Sequence, residues 1–377
     1  MADKIWSEDK ILQEDLERIA ASEMIDWEML RDKRILVTGA TGLIGSLAAR
    51  ALVCASVKRS LNLQVAALVR SPEKGKAMLG AFLEDGLELV TGDILSPVAV
   101  DGPVDYILHG ASVTTSKDFV DHPVETILTT LKGTEHLLEL AGQKQVKSMV
   151  YFSSMEIYGV PDAASYMELP PPAGRRQDAP GSARMAAVLR EADYGYIDPL
   201  QVRSSYSEGK RMAEGLCAAY AHEYQVPVKM VRLAQTFGAG IPKNENRVFA
   251  QFARSIMEGK DIVLHTDGSK AHCYCYTTDA VLGILTVLLR GTDGEAYNIS
   301  NEETYSTIRG MAEMLIEKYP QSGSRLVFDI PEDANQYGYA PTSRMLICSE
   351  KTRALGWRAQ VTLPEMFERL MASMEHS

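Results

Sequence analysis

Long apolar runs are missing from this chain: stretches such as Ala280–Leu289 fall far short of the roughly 20 residues a bilayer-spanning helix needs. Any block of lysine and arginine is missing too. With a formal net charge of −11, no phosphate-neutralising patch stands out, which disfavours a nucleic-acid partner. An anionic nucleotide stays within reach, because backbone N–H groups and a few arginines bind phosphate locally. The five cysteines (Cys54, Cys217, Cys273, Cys275 and Cys348) are odd in number and include no Cys-x-x-Cys. Reduced, buried thiols in the cytoplasm are the expectation. Cys273 and Cys275 lie beside His272, but no second ligand pair stands at metal spacing, so no metal is expected. The N-terminus, acidic through Glu17, lacks the basic start and apolar core of a signal peptide; a cytoplasmic protein with no membrane partner is expected.

What is present can build a large core. At 377 residues, 46% of them hydrophobic, the chain is long enough for one large domain or two unequal ones. Residues 7–20 read as a helix, with Ser7 able to cap it and Ile11, Leu12, Leu16 and Ile19 on one face. This makes 1–32 an N-terminal helical extension. Short apolar strands then alternate with helices: strands at Arg34–Thr38, Gln64–Val69, Glu88–Thr91, Tyr106–His109, Ser148–Ser153 and Val228–Leu233, helices at His122–Gly142 and Tyr206–Tyr224. That rhythm predicts an α/β fold with a doubly wound parallel sheet over 33–234. The pattern loses its regularity beyond 234, which predicts a smaller C-terminal α/β substrate-binding domain over 235–377, interleaved with the first. Residues 160–200, with Pro170, Pro171, Pro172, Arg175 and Arg176, break the rhythm and read as a loop-rich excursion, either a lid or a surface insertion.

Gly39, Gly42 and Gly45 join the first strand to an apolar helix. Glycines there allow a tight turn, close approach of a pyrophosphate and close helix–strand packing, while the helix N-terminus offers N–H donors. The turn assigns Gly39, Thr41, Gly42, Leu43, Ile44 and Gly45 to a dinucleotide. The second strand ends in Arg70, where NAD binders usually place a carboxylate for the ribose diol. Arg70 suits the 2′-phosphate of NADP; it reads equally as a solvated loop arginine. After the third strand, Asp93 is placed to hydrogen-bond the adenine amino group, with Ile94 beside it.

Tyr206 and Lys210 are four apart, hence on one helix face, so a lysine ammonium is expected near the phenol, lowering its pKa toward neutrality. Lys210 can also hold the nicotinamide ribose. Ser154 ends an upstream strand, where its hydroxyl can share the substrate proton with Tyr206.

Taken in order, the glycine turn, Asp93, the Ser153–Gly159 segment (Ser-Ser-Met-Glu-Ile-Tyr-Gly) and Arg203–Arg211 resemble the extended short-chain dehydrogenases of the NAD-dependent epimerase/dehydratase family. The likeness continues through Arg232–Gly238, Asp267-Gly268, Tyr276–Asp279 and Leu355–Trp357, and so covers roughly 33 to 370. The Tyr-x-Glu-Gly-Lys-Arg wording at Tyr206 is similar to that of UDP-glucuronate decarboxylases. The resemblance implies a Rossmann-type fold, NAD (alternatively NADP) as cofactor, a nucleotide-diphosphate sugar as substrate and a homodimer through the two helices above. Leu216, Ala219 and Tyr220 are available to that interface, although core packing explains them equally. The resemblance also implies that Tyr206 takes the proton of the sugar 4-hydroxyl as C4 gives up hydride, with Ser154 bonded to that oxygen and Lys210 tuning Tyr206. Glu156 occupies the place of an acid/base glutamate acting at C5; its alternative is a surface carboxylate.

The chain departs from the family pattern at several places. Dehydratases carry Asp before that glutamate, where this chain has Met155, which counts against water elimination. The usual substrate-contacting Asn is Gln235, the diphosphate-clamping Arg is His272, and a familiar helix Asn is Thr130. The diphosphate then falls to Arg247, which reads equally as a surface arginine. Decarboxylation, 4-epimerisation and 4,6-dehydration all start from a 4-keto sugar; NADP-linked carbonyl reduction and non-catalytic NAD(P) sensing are the readings of other classes.

Overall fold

A computed structural model describes residues 4–169, 185–330 and 343–376. Seven parallel strands form the central sheet, in the order Ala296–Ile299, Val228–Leu233, Ser148–Ser154, Tyr106–His109, Arg34–Thr38, Gln64–Val69, Leu87–Thr91. The fold is the Rossmann-type doubly wound α/β architecture. Ile35 faces Val65 on one side and Tyr106 on the other, and Ile35, Leu36 and Val37 have no exposed surface. Strands buried on both faces are continuous apolar runs for this reason. From the first strand the chain winds outward to one edge, then returns to the other side at Tyr106–His109. Its topological switch point, where such sheets bind ligands, lies between those two strands.

Helices Pro123–Lys144 and Ser204–Glu223 pack together on one face. Helix Leu43–Arg59 covers the other, and nearly every position from Gly45 to Ser56 is buried. A helix apolar all round must be covered on its outer side as well. Helix Lys10–Ala21 supplies that cover, placing Leu12, Leu16 and Ile19 in one core with Ala48, Leu52 and Ala55. The cap is Asp9, not Ser7: its Oδ1 accepts from the N–H groups of Ile11 (2.9 Å) and Leu12 (3.1 Å), because the helix starts later than expected.

A second sheet brings together Asn301–Thr307, Ala271–Tyr276, Arg344–Ile347, Met185–Leu189 and Tyr166–Glu168, with Gln235–Phe237 pairing alongside Ala271–Tyr276. The excursion is therefore more than loop. Tyr166–Glu168 and Met185–Leu189 form an antiparallel pair, and Met185–Leu189 joins Arg344–Ile347 in parallel. Its partner strand is remote in sequence, so the five-residue run carried no local sign of pairing. Residues 170–172, 175 and 176 lie outside the described residues. A separate core of Phe237, Phe249, Tyr274, Met311, Phe367 and Leu370 sits beneath the second sheet. Among the described residues, no helix is long and apolar enough to cross a membrane.

Candidate active site

At the switch point Gly39 adopts φ +68°, and a Cβ there would lie 2.7 Å from the Gly110 carbonyl carbon. A Cβ on Gly45 would lie 2.3 Å from the Gly39 oxygen. Only glycine fits either place. Gly42 N–H closes the turn on Gly39 O at 2.8 Å, and the first intrahelical bond runs from Ser46 N to Gly42 O. The N–H groups of Leu43, Ile44 and Gly45 thus head the helix without intrahelical acceptors, a cradle that fits a pyrophosphate. The Leu43 side chain packs on the second core and that of Ile44 on the first, so their contribution to the cradle is backbone. Arg70 is exposed just past the second strand. Asp93 Oδ1 accepts from Leu95 N at 2.9 Å, and Ile94 is buried against Gly133, where a Cβ would meet it at 2.5 Å.

Tyr206 lies in the first turn of helix Ser204–Glu223, and its phenol hydrogen-bonds Ser154 at the end of the neighbouring strand. Its ring stacks on Phe119 at 4.3 Å, and Ser205 Oγ holds that segment by donating to Phe119 O at 2.9 Å. Lys210 Nζ donates to Phe152 O at 2.7 Å and lies 5.8 Å from the Tyr206 ring centre. Burial lowers the Lys210 ammonium to about 7, against the pull of Glu214. The expected lowering of the phenol is not found in this state. Burial first, then the Glu156 carboxylate, raise Tyr206, and only the Ser154 hydrogen bond opposes them. Lys210, its ammonium turned toward the Phe152 carbonyl, is not among the groups acting on the phenol, so desolvation prevails. His109 links the first strand to helix Pro123–Lys144: its Nδ1 meets Thr38 Oγ1 at 2.8 Å and its Nε2 meets Thr134 Oγ1 at 3.3 Å, and burial, aided by the Lys210 charge, lowers it to about 3.

Glu156 Oε2 takes hydrogen bonds from Arg203 Nη1 (3.3 Å) and Ser207 Oγ (3.2 Å), and its backbone N–H caps onto Ser154 Oγ at 3.2 Å. Met155 points the other way, into an apolar cluster with Ile157, Tyr158, Leu189 and Ile347. Behind them, Arg232 and Glu214 form a fully buried ion pair at 2.7 Å. Ser153 donates to the same carboxylate, and Arg232 Nη1 donates to Tyr158 OH at 3.1 Å. This network fixes the Met155–Tyr158 turn against the Tyr206 helix. Sequence reading passed over it, although an arginine inside an apolar strand is an available sign of a buried pair.

Gln235 is half-buried and pairs alongside Tyr274, on the strand next to His272. Burial lowers His272 to about 3, so the imidazole is neutral near pH 7. Arg247 is exposed and bound to Glu245 at 2.8 Å; no contact among the described residues joins it to Ser154, Glu156 or Tyr206. Arg203, Phe119 and Lys270 were not singled out from sequence.

A glycine turn at the switch point of a parallel sheet, with Ser154, Tyr206 and Lys210 on adjoining elements, is the layout of an extended short-chain dehydrogenase. The chain belongs to the NAD dependent epimerase/dehydratase family, whose family model matches residues 35–300. It is 28% identical to UDP-glucuronic acid decarboxylase 3 of Arabidopsis thaliana over 337 residues, covering 88% of this chain and 86% of that one. Among solved structures, a dTDP-glucose 4,6-dehydratase from Streptomyces venezuelae with NAD bound superposes with a TM-score of 0.70 at 24% identity, over 91% of this chain and 97% of that one. An epimerase from Methanothermobacter thermautotrophicus does so with a TM-score of 0.70 at 21% identity, over 94% and 96%. As a member of this family the chain is an NAD-dependent enzyme acting on nucleotide sugars.

Proposed function

We propose that the protein oxidises C4 of UDP-glucuronate and decarboxylates the resulting 4-keto acid, returning the hydride to give a UDP-pentose. The observation that carries this is the meeting of Tyr206, Ser154 and Glu156 in one half-buried site while Met155 is turned into the core. A bound nicotinamide supplies the hydride acceptor and, when oxidised, a positive charge that lowers the phenol. Ser154 orients the sugar 4-oxygen, and Tyr206 takes its proton as C4–H leaves with its electron pair. The ketone makes the C5 carboxylate a β-keto acid, so the C5–carboxyl bond breaks with its electrons passing into the enolate. Glu156, held by Arg203 and Ser207, manages the proton that C5 then acquires. Tyr206 finally returns its proton to the 4-oxygen. With Met155 buried, no carboxylate stands at the place where dehydratases carry Asp, which opposes 4,6-dehydration.

A cytoplasmic homodimer completes the reading. Its supports are five free, buried thiols and, on helix Ser204–Glu223 and at its C-cap, the exposed Met212 and Tyr224 beside Ala219, Leu216 and Tyr220.

Mass spectrometry of products from UDP-glucuronate, with NAD and NADP supplied separately, tests the reaction. Loss of carbon dioxide is expected. An unchanged mass with a new chromatographic peak would replace decarboxylation by 4-epimerisation.

A further inference from the structure

Lys270 has no role in the scheme above. It sits immediately before strand Ala271–Tyr276, and its carbonyl accepts from Ile308 N at 2.9 Å, which pins its backbone against helix Ile308–Lys318. The side chain is half-buried, yet no hydrogen bond or ion pair holds its Nζ among the described residues. Its charge interacts with Glu156 and Arg203, and burial lowers the ammonium below its ordinary range. Lys270 and His272 are two apart on extended chain and so share a face, and His272 feels the lysine charge. The imidazole is neutral, and its Nδ1 is buried without a partner. On this face of the strand, then, Lys270 supplies the positive charge.

Arg203 is already paired with Glu156. Glu156, Arg203 and Lys270 therefore sum to one unmatched positive charge in a half-buried place, which invites an anion. The location of that anion follows from the neighbours. Met345, paired with His272, packs in one cluster with Met155, the residue beside Glu156, so this end of the strand borders the turn that carries Glu156, and Lys270 lies at the reacting end of the site.

We propose that Lys270 is the specificity-determining cation that binds the carboxylate of an acidic sugar. This rests on the reading that Tyr206 and Ser154 oxidise that sugar at C4.

The test is equilibrium binding of UDP-glucuronate, UDP-glucose and UDP to the full-length protein carrying Tyr206→Phe, in which turnover is blocked. Adding Lys270→Met is expected to weaken UDP-glucuronate at least about tenfold and leave UDP-glucose and UDP within about twofold. Lys270→Arg should restore most of the loss. Thermal unfolding followed by circular dichroism reports whether Lys270→Met is folded, and Lys270→Gln serves if it is not. Equal weakening of all three ligands would mean that Lys270 reads the diphosphate, and no weakening that it reads nothing; either overturns the assignment while leaving the reaction intact. If the Tyr206→Phe parent binds none of the three, the nucleotide-sugar reading of the site falls and this assignment with it.

Discussion

Arg203 and Glu156 form an ion pair at 3.3 Å that joins the two segments carrying the reactive groups. Arg203 is the N-cap residue of the Tyr206 helix, and Glu156 stands two residues beyond Ser154. The carboxylate is thereby oriented by the helix that bears the base. Both partners keep about a third of their side-chain surface, so the pair adds little to stability. Its consequence is positional.

Replacing Tyr206 by Phe removes the proton acceptor while keeping the ring stacked on Phe119. Turnover of UDP-glucuronate should fall by roughly 10²- to 10⁴-fold, the usual weight of a general acid–base group. Thermal unfolding and dinucleotide binding should stay near wild type. Wild-type turnover in this variant would remove Tyr206 from the mechanism.

Glu156→Gln keeps the hydrogen-bonding shape toward Ser207 but removes the charge. Oxidation at C4 should survive and later steps stall, so reduced cofactor should accumulate, visible at 340 nm in a stopped-flow trace. The lost carboxylate also eases ionisation of Tyr206, since Glu156 is the second cause raising that phenol. Proton abstraction should therefore move to lower pH in the variant. Full product yield with an unshifted pH profile would leave Glu156 a structural residue.

The parts of this molecule legible in sequence are those with local signatures. Ile35–Val37 flanked by turn residues reads as a strand without knowing its partners, and Gly39 and Gly45 announce their own lack of space. The Tyr206–Lys210 spacing is likewise a property of one helix. What escaped was set by distant partners. Met185–Leu189 becomes a strand because Arg344–Ile347 lies beside it. The Tyr206 phenol is raised because several elements together exclude water, which residue spacing does not express. Lys270 and Arg203 escaped for the same reason: a lone lysine before a strand is unremarkable until its neighbours across the site are known.

Arg70 offers a test of cofactor choice. No carboxylate closes the second strand, and Glu73 in the following helix is engaged by Ser71 Oγ at 2.9 Å. A dinucleotide bearing a 2′-phosphate should therefore be accepted alongside NAD. Arg70→Glu is expected to weaken NADPH about tenfold or more, through loss of an attractive charge and gain of a repulsive one, while NADH stays within about twofold. Tryptophan fluorescence titration with both reduced cofactors measures this. Equal affinities before and after substitution would make Arg70 an ordinary solvated arginine.

The N-terminal helix carries a pH-dependent contact that should show in stability. Asp15 is fully buried; Tyr276 OH donates to its Oδ2 at 2.7 Å and Arg369 Nη2 to its Oδ1 at 2.7 Å. Burial pushes the carboxyl up to about 6 from 3.8, with Arg369, Tyr276 and Arg18 opposing. Between these values the folded protein holds a proton that the unfolded chain has released. Stability from this group is therefore complete below about pH 4 and is lost as pH rises through 6, on the order of 2–3 kcal/mol in all. Asp15→Asn cannot titrate, so the wild type should lose stability relative to the variant between pH 4 and 7. Urea unfolding at half-unit pH steps measures the difference. Parallel profiles would show that Asp15 ionises alike in both states, with Arg369 fully offsetting the burial. A convergence of the two proteins toward acid pH, with the variant gaining ground above pH 5, is the expected result.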